Sequence, residues 1–241
     1  MRFSLALILL SLAGCADDNV SVFIRNNIAP EQDDDGCTFS PASNESIEFG
    51  RWDVGTTART AGFYPNGYAL SVAAINQIQR RATTVASEPN GVQITSAEIE
   101  ILNLAGDTIG FNPPPGSTTP LPNPFRVPAS GYIAPADGIE APGETAIGFT
   151  AIPLEYREQL VNTFAPPRTN TIILSVRLRG RTLGQIDILT DAWEYPVELC
   201  DGCLVACSGT PMDQAFACRP GQDAISLDFC ACADADPTFC P

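Results

Sequence analysis

Residues 171–182, TIILSVRLRGRT, alternate between apolar and polar side chains from residue 174 to residue 179. Four aliphatic side chains share one face of an extended chain: Ile172, Leu174, Val176 and Leu178. The other face carries Ser175 and the three arginines at positions 177, 179 and 181. A period of two residues is typical of a β-strand with one buried and one solvated face. We therefore expect a strand here that packs against a hydrophobic core.

Two other segments alternate in the same way and carry acidic residues on their polar face. Glu98 and Glu100 lie in the first of these segments, and Asp187 lies in the second. If both segments flank the central strand, these carboxylates can pair with Arg177 and Arg179 across strands, each pair contributing about a few tenths of a kcal/mol. We expect a solvated, locally neutralised face in preference to a site for an anionic ligand.

Short β segments separated by Gly, Pro and Asn continue through most of the chain. Strands are expected at residues 20–26, 46–52, 67–78, 92–104, 125–133, 144–152, 171–180, 183–189 and 195–199. Only residues 154–164 are expected to be helical. The pattern predicts an all-β fold. It resembles the C-F-G sheet of immunoglobulin-like and fibronectin-type-III-like sandwiches, which implies an immunoglobulin-like β-sandwich with long loops.

The first fifteen residues have the layout of a secretory signal peptide. Arg2 precedes an apolar run at residues 3–12, and residues 12–15 read LAGC. The run is shorter than the about 20 apolar residues that a membrane-spanning helix needs. The LAGC motif resembles the lipobox of bacterial lipoproteins. That resemblance implies that residues 1–14 are removed and that Cys15 receives a diacylglycerol on its thiol and an acyl group on its new amine.

The residue after the motif and the net charge bear on where the protein is attached. The residue after Cys15 is Ala16 and not an aspartate, which in the Gram-negative pattern resembles lipoproteins sent to the outer membrane. The formal charge of −15 disfavours both a nucleic-acid partner and attachment through a basic patch. We expect a bacterial cell-envelope protein that is held at the membrane by its lipid. It faces either the periplasm or the cell surface. An envelope protein and a glycan are both open as its partner.

Eight cysteines remain after Cys15, and seven of them lie in the last 42 residues. They are Cys37, Cys200, Cys203, Cys207, Cys218, Cys230, Cys232 and Cys240. An even number in an oxidising compartment favours four disulfides and leaves their connectivity open. The tail has few large apolar side chains, so we expect a small module stapled by disulfides. Parity predicts that Cys37 bonds one of the tail cysteines.

A zinc site is the alternative for part of this tail. Cys200 and Cys203, together with Cys230 and Cys232, offer four thiolates. The second pair has only one intervening residue, whereas zinc knuckles have two or more. Disulfides therefore remain the preferred interpretation, and no metal ligand or cofactor is assigned.

The expected organisation has four parts. Residues 1–14 form the signal peptide, 15–45 a lipidated linker with the first strand, 46–198 the β-sandwich, and 199–241 the Cys-rich module.

The sequence excludes several catalytic mechanisms, because it contains neither histidine nor lysine. Histidine-dependent triads, Schiff-base chemistry and the phosphate-loop lysine are thereby excluded. The leading expectation is a non-enzymatic binding or structural protein that presents the disulfide-rich module. One alternative is a glycoside hydrolase, which needs only two carboxylates. Another is calcium-dependent adhesion through Asp33, Asp34 and Asp35, although Ala42 stands where a calcium loop has its final glutamate.

Overall fold

A computed structural model describes residues 21–33, 36–43, 45–54, 67–81, 88–138, 141–163, 170–200, 204, 218 and 222–223. Several residues singled out above lie outside this part of the chain: Cys15, Asp34, Asp35, Cys203, Cys207, Cys230, Cys232 and Cys240.

Strands dominate the described residues, which confirms the all-β prediction. The strands are β1 (Val22–Asn27), β2 (Glu31–Asp33), β3 (Gly36–Thr38), β4 (Gly50–Asp53), β5 (Tyr68–Asn76), β6 (Val92–Leu102), β7 (Phe125–Ile133), β8 (Gly143–Ile152), β9 (Asn170–Thr182), β10 (Asp187–Leu189) and β11 (Trp193–Cys200). One helix, α1 (Leu154–Thr163), follows β8 in the described part. No helix in that part is long and apolar enough to cross a membrane.

The long strands form two sheets that share one core. The smaller sheet has the order β1-β5-β8, with antiparallel neighbours throughout. The larger sheet has the order β4-β11-β9-β6-β7, and β10 also pairs with β9. Its neighbours are antiparallel except β4 and β11, which run parallel. The expectation that β9 is flanked by β6 and by the strand carrying Asp187 is confirmed.

The core lies between the inner faces of the sheets, and β9 shows how it is built. Ile172, Leu174 and Val176 of β9 are fully buried, as the alternation of the sequence predicts. Leu70 and Val72 of β5 face them from the other sheet as part of the same hydrophobic cluster. Removing such side chains from water supplies the main driving force for the two-layer arrangement.

The sandwich has two distinct ends, here named the near end and the far end. At the near end, Gln77 N donates a hydrogen bond to Ser21 O at 2.7 Å, and Asn76 Nδ2 donates to Asn90 O at 2.9 Å. At the far end, the rings of Trp52 and Tyr68 lie 6.1 Å apart. The two ends are separated by the length of β9, whose 13 residues span about 40 Å at about 3.3 Å per residue.

The strand boundaries differ from the expected ones in ways that follow from local hydrogen bonds. β10 is only Asp187–Leu189, because the residues before it form a turn in which Gln185 N donates to Thr182 O at 2.9 Å. β1 belongs to the smaller sheet, so the sandwich includes residues before position 46. The hairpin of β2 and β3 occupies an acidic stretch that the alternation of the sequence did not mark as strand.

Candidate functional site

The first link between the C-terminal part of the chain and the sandwich is covalent. Cys37 in β3 forms a disulfide with Cys218, 181 residues later in the sequence. The parity argument that Cys37 pairs with a tail cysteine is thus confirmed. Cys200 at the end of β11 is also disulfide-bonded, so its sulfur is not a thiolate available to a metal. That observation weighs against the zinc alternative for the tail.

The second link is a set of hydrogen bonds made by Gln222, whose side chain pairs with the backbone of β5. Ala69 N donates to Gln222 Oε1 at 2.9 Å, and Gln222 Nε2 donates to Ala69 O at 2.8 Å. Gln222 also forms a β-bridge with Trp52 of β4. A primary amide satisfies a backbone donor and acceptor together. Gln222 therefore mimics a short additional strand at the start of β5.

Asp223 continues the attachment on the neighbouring strand of the larger sheet. Its backbone N donates to Arg51 O at 2.9 Å, while Arg51 N donates to Asp223 Oδ1 at 2.9 Å. We call Gln222 and Asp223, together with Arg51, Tyr68 and Ala69, the tail clasp. Because Arg51 belongs to β4 and Tyr68 and Ala69 to β5, the clasp joins the larger sheet to the smaller one at the far end.

A chain of buried polar groups runs inward from the tail clasp. Tyr68 donates from its hydroxyl to Asp223 Oδ1 at 2.8 Å, and Tyr68 is also hydrogen-bonded to Tyr195. Asn27 Nδ2 donates to the Tyr195 hydroxyl at 3.0 Å, and Asn27 Oδ1 accepts from Ser71 N at 3.3 Å. The hydroxyls of Tyr68 and Tyr195 then each donate one hydrogen bond and accept another. Such a satisfied network holds its members in one arrangement.

The electrostatics of Tyr68 follow from this position. Burial raises the pKa of Tyr68 well above its ordinary value, and the nearby Asp223 carboxylate raises it further. The hydroxyl therefore stays protonated as the pH rises through the range in which an exposed tyrosine ionises. It remains a donor to Asp223 across that range.

Gly50 provides the space for the two tyrosines. A Cβ atom at this position would collide with the Tyr68 hydroxyl oxygen and would lie 2.9 Å from Cε1 of Tyr195. Side chains in a packed interior do not yield such space without strain. The glycine at the start of β4 is thus a requirement of the tail clasp.

Two carboxylates are buried in the described part of the chain, and both bind backbone N–H groups. Asp53 Oδ2 accepts from Leu204 N at 3.3 Å, which adds another contact with the tail. Glu88 accepts from Arg81 N at 2.8 Å and from Asn90 N at 2.9 Å. Asp53 lies at the far end and Glu88 at the near end. These two acids are therefore not the neighbouring pair that a glycoside hydrolase needs.

One surface depression of about 410 Å³ lies beside α1. Its lining includes Val127, Pro128, Thr150, Pro153, Leu154 and Glu155. Glu155 is the one carboxylate among these residues, so this depression does not supply a carboxylate pair either.

The charged face of the larger sheet is neutralised as expected. Glu98 Oε2 lies 3.3 Å from Arg126 Nε and 3.4 Å from Arg179 Nε. Asp187 Oδ1 lies 2.7 Å from Arg181 Nε, because the hairpin register places these two residues opposite each other. The predicted pairing of Arg179 with Glu98 is thus confirmed, whereas Asp187 pairs with Arg181 in place of the two arginines predicted.

The remaining sequence-based candidates are ligand sites. Asp33 ends β2, and its two acidic neighbours lie outside the described residues. Among the residues that the structure describes, no group of three or more Cys, Asp and Glu side chains is arranged to hold a metal ion.

The tail clasp was not among the sequence-based candidates. Gln222 and Asp223 lie in a stretch without periodicity, and their partners are more than 150 residues away. The inward-facing Tyr195 was a weak signal, because a tyrosine on the apolar face of a strand needs a polar partner for its hydroxyl. The chain matches no protein-family model, no curated protein and no solved structure.

Proposed function

We propose that this chain is a lipid-anchored cell-envelope protein with a non-enzymatic binding or structural role. In this proposal the β-sandwich is a rigid spacer, and it holds a disulfide-rich C-terminal module at the end remote from the anchor. The observation that carries the proposal is that the N-terminal and C-terminal parts of the described chain lie at opposite ends of the sandwich. Ser21 lies at the near end, whereas Cys200 and the tail clasp lie at the far end.

The contacts with the tail support a fixed orientation of the module. A disulfide at Cys218, the amide pair of Gln222, and the hydrogen bond from Tyr68 to the half-buried carboxylate of Asp223 all bind the tail to the sandwich. A tail that served only as a tether would need one of these contacts at most. Their combination joins both sheets and favours a module whose surface faces a defined direction.

The proposed anchor defines the orientation of the module relative to the bilayer. Cys15 precedes Ser21 by six residues, which reach at most about 20 Å when fully extended. The near end then faces the bilayer, and the far end lies about 40 Å further away. Multiple acyl chains on Cys15 give stable attachment without a membrane-spanning segment. The residue after it, Ala16, favours the outer membrane.

A non-enzymatic role is supported by composition and by the use of the buried acids. The chain has no histidine or lysine, and Asp53 and Glu88 both bind backbone N–H groups. In this proposal the covalent lipid on Cys15 is the only non-protein group. The recognition surface is then the Cys-rich module, with an envelope protein or a glycan as its partner.

The strand order supports an immunoglobulin-like sandwich as part of the proposal. β1, β5 and β8 have the positions of an A-B-E sheet, and β11, β9, β6 and β7 have those of a G-F-C sheet with one added strand. In this assignment β6, β9 and β11 are the C, F and G strands.

Cell fractionation tests the anchor on which the proposal depends. Wild-type protein and Cys15→Ser would be expressed in a Gram-negative host, with Cys37→Ser/Cys218→Ser as a control that also lacks cysteines. We expect the wild type and the control in the outer-membrane fraction and Cys15→Ser among the soluble periplasmic proteins. Equal partitioning of Cys15→Ser and the wild type would overturn the proposal.

A further inference from the structure

Two aliphatic side chains are exposed at the near end, in the turn that joins β9 to β10. Leu183 is 42% exposed and Ile186 is 66% exposed. The turn itself is held firmly: Leu183 N donates to Gly91 O at 2.8 Å, and Gly184 N donates to Pro89 O at 2.8 Å. The chain therefore presents these apolar side chains to the surroundings on a fixed backbone.

An aromatic side chain adjoins this turn across the larger sheet. Tyr132 of β7 pairs with Gln93 of β6, which in turn pairs with Arg181 of β9. Tyr132 is 38% exposed. A tyrosine presents an apolar ring and a polar hydroxyl, a combination enriched where hydrocarbon meets water at a bilayer surface.

The near end is also less acidic than the chain as a whole. Its described charges include four arginines, Arg25, Arg80, Arg81 and Arg181, and four acids, Glu88, Asp137, Glu144 and Asp187. Glu144 Oε1 lies 2.8 Å from Arg25 Nη1. Asp187 Oδ1 lies 2.7 Å from Arg181 Nε, and Asp137 Oδ1 lies 3.9 Å from Arg80 Nη1. The whole chain carries a formal charge of −15. The described residues of the near end thus place no net charge against anionic headgroups.

Exposure alone does not identify a contact surface, since Leu104 is 67% exposed. Leu104 follows the end of β6, however, and so lies at the far end. The turn with Leu183 and Ile186 lies instead at the end where Ser21 is bound and where the chain leads back to Cys15 within about 20 Å. An anchored chain brings this end, and not the far end, to the lipid surface.

We propose that the near end is a second membrane contact, in which the side chains of Leu183 and Ile186 enter the interfacial layer of the bilayer. This inference rests on the proposed lipid anchor at Cys15. The anchor holds the protein on the bilayer, and the apolar turn fixes its tilt, with Tyr132 at headgroup level. Interfacial apolar groups of this kind enter about 5–10 Å below the headgroup boundary. The far end, with the tail clasp, then points away from the membrane.

Fluorescence quenching in vesicles tests the contact. The full lipidated chain would be reconstituted into phosphatidylcholine vesicles with brominated acyl chains, as Ile186→Trp and as the matched control Leu104→Trp. Both positions are exposed in the structure, so both variants are expected to fold. We expect the emission added at position 186 to shift to shorter wavelength and to be quenched by bromine. The emission added at position 104 is expected to do neither.

The outcomes separate this inference from the proposed function. If the chain does not float with the vesicles and carries no acyl mass, the anchor and the proposed function fail. If the chain floats but the emission at position 186 matches that at position 104, the membrane contact alone is overturned. A blue shift at position 186 that depends on protein concentration in detergent without vesicles would also overturn it, because a second copy of the chain would then cover the turn.

Discussion

The substitution Tyr68→Phe tests whether the tail clasp is an energetic link between the tail and the sandwich. It removes one hydroxyl and leaves the ring that contacts Trp52 in place. The lost hydrogen bond is the one donated to Asp223 Oδ1 at 2.8 Å, and the link to Tyr195 is lost with it. A hydrogen bond to a charged group contributes about 1.5–3 kcal/mol.

The expected result is a clear fall in stability. For a chain of this length, about 2–4 °C of Tm accompanies each kcal/mol, so Tyr68→Phe should lower Tm by about 3–12 °C. Thermal unfolding of the oxidised protein, followed by circular dichroism, measures the shift. Tyr132→Phe is the matched control, because the Tyr132 side chain is exposed, and it should change stability by about 0.5 kcal/mol or less.

A double-mutant cycle with Asp223→Ala shows where the effect arises. Because the two substitutions share one hydrogen bond, the double variant should lose less stability than the sum of the two single losses, with a coupling of about 1 kcal/mol or more. Additive losses, or a Tm for Tyr68→Phe equal to that of Tyr132→Phe, would refute the reasoning about the clasp.

Three further predictions concern the same architecture. Gly50→Ala forces a Cβ into the Tyr68 hydroxyl and should cost about 1–3 kcal/mol in denaturant unfolding, whereas Gly148→Ala, with Ser71 Oγ at 3.6 Å as its nearest neighbour, should be tolerated. Cys37→Ser/Cys218→Ser opens a loop with a sequence separation of 181 and should lower stability by up to about 5 kcal/mol; an unchanged denaturation midpoint would contradict the role of this bond. Burial raises the pKa of Tyr156 to about 12, and Glu155 adds to the rise. Folding favours the protonated hydroxyl, so this contribution to the free energy of unfolding is complete below a pH of about 10 and is lost as the pH rises towards 12. Unfolding curves at a series of pH values should show a fall in stability over this range in the wild type and a smaller one in Tyr156→Phe.

The larger sheet was predictable because its strands carry one strong physical signal. The alternation in residues 171–182 predicts which side chains are buried. The structure agrees, since Ile172, Leu174 and Val176 are fully buried. The same alternation predicted the contact between Arg179 and Glu98, since side chains on one face of paired strands must be neighbours. Periodicity of this kind is expected in any fold in which two sheets pack face to face, because each strand then has one buried face.

The tail clasp was not predictable, because its energy comes from contacts that leave no local pattern. Asp223 has a φ of 60°, a left-handed conformation that aspartate tolerates better than most residues. Its partners are set by tertiary structure alone. The β2–β3 hairpin is similar: its acidic composition suggested a linker or a calcium loop, whereas Gly36 with a φ of 135° turns the chain and Cys37 joins it to Cys218.

The central claim is a lipid-anchored chain whose C-terminal module is stapled by disulfides. Intact-mass analysis of the protein purified from native membranes, before and after reduction and alkylation under denaturing conditions, tests both parts in one sample. The account predicts the mass of residues 15–241 plus acyl groups, with eight alkylations that appear only after reduction. A chain without acyl groups, or one whose cysteines are alkylated before reduction, would contradict it.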